Sequence, residues 1–163
     1  MEVQEAIRTV LAVRAYQDRP VPDEVVQQIL EAGRLSASSM NKQPWHFVVV
    51  REPATLVELG QMSPHGPYIA EAPLAIVVVI DPSRFAVSDA SRAIQNMVLA
   101  AWSAGVGSNW VGFGGMDEIK THLGIPAEFD ILAILPFGYP ATSTGQGQKE
   151  RKPLDEIVHW ERW

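Results

Sequence analysis

The chain has 163 residues, 47% of them hydrophobic, and a formal net charge of −6, a length most simply read as one domain spanning residues 1–163. That negative balance argues against a general nucleic-acid surface, although a local group of Arg and Lys can still take a phosphate. With no cysteine there are no disulfides, thiolate nucleophiles or sulfur-ligated metals, so redox chemistry would have to come from a bound cofactor. No apolar run approaches the ~20 residues of a membrane span and the N-terminal segment lacks a signal-peptide core, which leads us to expect a cytoplasmic protein with no membrane partner.

Residues 2–12 place Val3, Ala6, Ile7, Val10 and Leu11 at spacings of three and four, the pattern of an amphipathic helix buried on one face. Arg14 follows, and Pro20 and Pro22 break the helix. A second helix is predicted over Asp23–Leu35, opened by Pro22-Asp23 and striped by Val25, Val26, Ile29, Leu30 and Leu35.

The stretch Ser36-Ala37-Ser38-Ser39-Met40-Asn41-Lys42-Gln43-Pro44-Trp45-His46-Phe47 then crowds hydroxyls and amides in front of an apolar run. Ser, Asn and Gln give and accept hydrogen bonds without charge, so the stretch suits the edge of a neutral heterocycle or a sugar chain. Pro44 biases Gln43 towards extended geometry at the strand mouth. Taken alone, the same residues also describe a loop that caps its own backbone.

Trp45–Val50 reads as a buried strand closed by Arg51-Glu52-Pro53, and a short helix is predicted over Ala54–Gln61. Ser63–Tyr68 is turn-rich, with His65 and Tyr68 as possible site-wall residues. Ala72–Ile80 is a nearly unbroken β-branched run, the pattern of a central strand covered on both faces. Ser88–Ala104 is long and apolar enough to be the central helix, ended by Gly105-Val106-Gly107. The glycines of Ser108–Gly115 would let the backbone come close to a flat ligand, and equally describe an ordinary glycine-rich connection.

Asp117–Leu123 reads as a short helix, Phe129–Phe137 as an apolar strand, and Ala141–Gln148 as a flexible connector. Lys149 and Arg151 alternate across one residue, so in extended chain they project to one side and can clamp one anion. Val158, Trp160 and Trp163 leave an aromatic tail that is costly to expose to water.

Together these segments resemble the nitroreductase family. Ser36–Phe47 is similar to its S-x-S-S-x-N-x-Q-P-W-H-F signature, with Ala37 where proline is frequent, and the likeness continues through Gly138-Tyr139-Pro140 to Lys149, Arg151, Pro153-Leu154 and the aromatic end. The resemblance implies an α+β, three-layer fold with a central, mostly antiparallel sheet flanked by helices. It also implies a homodimer, with the long helix at the interface and an extended C-terminal tail, residues 149–163, packing on the partner subunit. The implied activity is FMN-dependent oxidation of NADH or NADPH, with electrons passed by ping-pong exchange to a nitroaromatic, quinone or similar small acceptor.

By the same resemblance Ser38, Ser39, Asn41 and Gln43 would hold the ribityl chain and ring edge, and Arg14 would be the ring-edge cation. Backbone of Trp110, Val111 and Gly112 would approach the flavin N5 and dimethylbenzene side, while Lys149 and Arg151 would contact the phosphate. No side-chain acid or base is implied, and no metal.

The sequence departs from the family's R-R-S-x-R-x-F segment: Val10, Leu11 and Ala12 stand where two basic residues and a serine are expected, and only Arg14 matches. Arg8 lies two positions from Val10, about 200° around a helix, and is no simple replacement. The departure keeps two alternatives open: a ligand-binding protein of this fold with weak or no FMN binding, and a redox enzyme using another flavin-like cofactor.

Overall fold

The computed structural model describes residues 1–112, 116–142 and 149–163. One sheet runs in the spatial order β1-β2-β4-β3, where β1 is Trp45–Val50, β2 Leu74–Ile80, β3 Gly107–Ser108 and β4 Asp130–Gly138. All three pairings between these strands are antiparallel. The helices are α1 Val3–Thr9, α2 Asp23–Arg34, α3 Pro53–Met62, α4 Ala86–Ser103 and α5 Met116–His122. None of them is long and apolar enough to cross a membrane.

Layering follows from the two-residue period of the strands. Leu74, Ile76, Val78 and Ile80 of β2 point into one core with Ile29 of α2 and Ala90, Ala93 and Met97 of α4. Ala75, Val77 and Val79 point the other way, onto Leu56 and Leu59 of α3 and Ile119 of α5. Every residue of β2 is buried, as expected of an inner strand covered on both faces. The result is an α+β sandwich of helices, sheet and helices. Between Val78 and Val79 the register with β4 shifts by one, so that Leu132 is skipped between Ala133 and Ile131.

The predicted β1 has the observed bounds, but as an edge strand it is buried only at Trp45 and Val50 and not along its length; β2 starts two residues late because Pro73 lacks the N–H a central ladder requires. The N-terminal helix is corrected more substantially. It ends at Thr9, and Val10 turns extended with ψ 129° after its N–H closes on the Ala6 carbonyl. Leu11–Ala12 then runs alongside β3, with a parallel bridge from Ala12 to Ser108. Of α1 only Ala6 is buried; Val3 and Ile7 of the expected apolar stripe are exposed, and Val10 and Leu11 beyond the helix are half-buried. The predicted connector over Ala141–Gln148 lies, from residue 143, outside the described residues, as do residues 113–115 of the glycine-rich loop.

Candidate functional site

A concavity of about 590 Å³ opens between the segment after α1, one flank of α4, the residues following β3, and the C-terminal tail. One wall is apolar, made by Val10, Leu11 and Ala12; facing parts of the rim carry Lys149 and Arg151. The Lys149 ammonium donates to the Ile7 carbonyl at 2.6 Å, and the Arg151 guanidinium to the Glu150 carbonyl at 2.7 Å. Partial burial, and secondarily the Arg151 charge, pull the Lys149 pKa below its ordinary value. Two cations line one shared hollow, an arrangement suited by its chemistry to an anion.

Trp110 stands 41% exposed at the same hollow. Gly112 makes its pose possible, since a Cβ there would stand 2.6 Å from the indole Nε1. Val111 behaves differently. Its side chain is buried, its N–H donates to the Ile134 carbonyl at 3.0 Å, and its own carbonyl accepts from Ile134 at 2.7 Å. The expectation that the Val111 amide faces a ligand is therefore corrected: that amide is engaged in the sheet. Asn109, which sequence reasoning did not single out, also lines the hollow and donates through its side chain to the Tyr68 hydroxyl. Tyr68 thus acts behind the wall, and His65 is exposed.

The Ser36–Pro44 stretch forms a tight loop around a single 3₁₀ turn, Ser39–Asn41. Met40, Asn41 and Gln43 all have left-handed φ, at 53°, 55° and 51°. Such a conformation costs of order 1–3 kcal/mol for a residue other than glycine, least for Asn, and persists only where neighbours enforce it. The enforcing bonds are visible. The Ser38 hydroxyl accepts the Gln43 N–H at 2.9 Å, and the Gln43 amide donates to the Asn41 carbonyl at 3.2 Å. Ser39 donates to Asp89 twice, from its N–H at 2.9 Å and its hydroxyl at 3.2 Å. Asn96 donates to the Ser36 hydroxyl at 2.7 Å. Asn41 and Gln43 are left exposed on the loop surface. Asp89 is fully buried and was missed because an acid early in a helix reads from sequence as a solvated end.

The structure brings Lys149, Arg151 and Trp110 together, but it does not bring the loop to them. Asp89, which holds the loop, and Ser91 and Val98, which line the hollow, lie on different flanks of α4. At about 100° per residue they are separated by roughly 200° and 180° of helix. Arg14 is exposed and stands near Tyr16, whose phenol is pushed up by burial and by Tyr68, and pulled back by the Arg14 charge.

The sequence profile of the nitroreductase family matches residues 8–79 and 64–139. A Methanothermobacter thermautotrophicus protein with the provisional name NADH dehydrogenase/NAD(P)H nitroreductase is 37% identical over all of this chain and 88% of its own length. A solved structure from Bacteroides thetaiotaomicron with the same provisional name superposes with a TM-score of 0.92 at 30% identity, covering 99% of this chain and 98% of that one. An FMN-dependent nitroreductase from Clostridium difficile superposes at 0.90 with 25% identity, covering 98% and 99%. The chain belongs to the nitroreductase family and is an oxidoreductase of that class.

Proposed function

We propose that this protein is an FMN-dependent NAD(P)H oxidoreductase acting as a homodimer, with each site shared between two copies. One observation carries the reading: Lys149 and Arg151 face one hollow beside an exposed indole, an arrangement complementary to a phosphate dianion joined to an aromatic ring. The names of the relatives, an NAD(P)H nitroreductase and an FMN-dependent nitroreductase, support the same cofactors. FMN, when bound, would take a hydride from NADH or NADPH and pass electrons to a nitroaromatic, quinone or similar acceptor by ping-pong exchange.

The chain's own residues bind and orient. Lys149 and Arg151 neutralise the phosphate, while Trp110 and the Val10–Leu11 wall exclude water from the adjoining surface. Asn41 and Gln43 of a second copy supply donors and acceptors to the ring edge and polyol, since their own copy turns them away from its hollow. Ser38 and Ser39 serve chiefly to hold that loop, each with residual hydrogen-bonding capacity for the polyol. Arg14 places positive charge where reduced flavin accumulates negative charge. The tail, residues 149–163, packs on the partner subunit. Acid–base side chains are not needed.

A second reading rests on the wall itself: Val10, Leu11 and Ala12 offer no side-chain donor to a phosphate, which favours weak FMN binding. Titration with FMN, followed by NADH or NADPH under anaerobic conditions, separates the two. A yellow complex bleached by the reductant is the expected result. No binding at tens of micromolar FMN favours the ligand-binding alternative, and binding of a different flavin-like cofactor favours the other.

A further inference from the structure

The long helix α4 lines the hollow with one flank, through Ser91 and Val98, and clasps a loop with the other. The clasp is specific. Asp89 takes both the N–H and the hydroxyl of Ser39 at 2.9 and 3.2 Å, and Asn96, two turns on, donates to Ser36 at 2.7 Å. Arg92 stands 3.3 Å from the same Asp89 carboxylate, so the buried charge is compensated from its own helix as well as from the loop. Just beyond the Ser39 anchor sit Met40, Asn41 and Gln43, all with left-handed φ. Neither Met nor Gln prefers that conformation, so the backbone there is held from outside.

The geometry points to Asp89 as a positioning residue for the flavin site. Its carboxylate, buried on the long helix α4, sets the left-handed course of the loop, and the loop's course decides where Asn41 and Gln43 present their amides. Asn96 steadies the other end. Asp89 touches no ligand itself; it acts through Ser39. Two polar atoms are required at this position because Ser39 presents an N–H and a hydroxyl in different directions. An Asn at position 89 can retain both contacts, accepting the Ser39 N–H through its carbonyl and donating its amide to a rotated Ser39 hydroxyl. An Ala can retain neither.

The flavin consequence rests on the FMN reading above, and the test separates the two. Amide hydrogen exchange of residues 38–43 is measured without flavin on the wild type, Asp89→Ala, Asp89→Asn and Ser39→Ala. Dissociation constants for FMN and for riboflavin, which lacks the phosphate, are measured alongside. Asp89→Ala is expected to raise exchange at the Ser39 and Gln43 amides at least 10-fold while α4 beyond its first turn stays protected. It should weaken FMN and riboflavin by the same factor, about 10-fold, leaving their ratio unchanged. Asp89→Asn should stay within about 3-fold of wild type, and Ser39→Ala should fall between; the latter serves should Asp89→Ala not fold. Unchanged loop exchange in Asp89→Ala or Ser39→Ala overturns the proposal, as does a change in the FMN-to-riboflavin ratio. Should wild type bind neither flavin, the exchange data alone decide whether Asp89 sets the loop, and the failure belongs to the FMN reading.

Discussion

In the proposed anion site Lys149 and Arg151 would divide the work unequally. Arg151 is exposed, and among the described residues its guanidinium donates only to the neighbouring Glu150 carbonyl, which leaves donors for a phosphate. Replacing it by alanine removes charge-assisted bonds worth about 1.5–3 kcal/mol, and the FMN dissociation constant measured by flavin fluorescence quenching is expected to rise by about 10-fold or more. An unchanged constant would remove Arg151 from the site. Lys149 sits closer in, and its pKa is lowered, first by burial and then by Arg151. Between that lowered value and the ordinary lysine value the unfolded chain holds more protons than the folded one, so the stability of the ligand-free protein rises with pH across this window. A bound dianion reverses the preference by favouring the ammonium. FMN affinity relative to riboflavin should therefore fall as pH climbs through the lowered Lys149 value, and the fall should vanish in Lys149→Met. Isothermal titration at several pH values below the ordinary lysine pKa checks the slope.

The elements that make these residues meet were unequally legible. β1 and β2 could be read because their apolar runs have hard ends, Pro44 and Arg51 for one and Asp81 for the other; the wholly apolar β2 lies inside the sheet, whereas β1, which carries His46, is an edge strand. α1 could not be bounded that way. Its spacing continues smoothly through Leu11, yet the chain leaves the helix at Thr9 because Ala12 has a β3 neighbour in Ser108, a tertiary contact no periodicity records. The same holds for the site. Lys149 and Arg151 declared themselves by alternation, whereas the Asp89 clasp and the left-handed Met40 and Gln43 depend on distant packing. The junction of α1 with β3 is tight enough to test. A Cβ on Gly107 would stand 2.3 Å from Cγ2 of Val13 and 2.7 Å from its Cβ, and Val13 is itself buried and donates its N–H to the Ser108 carbonyl. Gly107→Ala must displace that segment, and with it the Val10–Ala12 wall. Urea unfolding should show a loss of about 1–3 kcal/mol. A variant as stable as the wild type would mean that the segment yields freely.

At the scale of the whole molecule, apolar surface remains uncovered where the proposed function needs it covered. Trp163 is 101% exposed, Trp160 83%, Leu154 72% and Ile157 58%, while Val3 and Ile7 of α1 stand 68% and 48% exposed. Tryptophans concentrated in a short tail are the residues that anchor interfaces once they reach a pocket, where truncating one commonly costs 2 kcal/mol or more by order of magnitude. The position of the polar loop adds an independent reason for a second copy. Ser39 is tied to one flank of α4 and the cationic hollow opens on another, so amide donors and phosphate-binding cations can address a single ligand only if another copy turns its loop towards this hollow. Dimerisation and full FMN affinity should consequently be lost together. Trp160→Asp combined with Trp163→Asp is expected to shift the sedimenting species from dimer to monomer at micromolar concentration. The same variant should weaken FMN by about 10-fold or more, although Lys149, Arg151 and Trp110 are untouched. Raising its concentration until dimer reforms should restore the affinity, because the missing contacts belong to the other copy and follow mass action. A monomer that binds FMN as tightly as the wild type would show that one chain completes the site unaided, and the shared-site reading would fall.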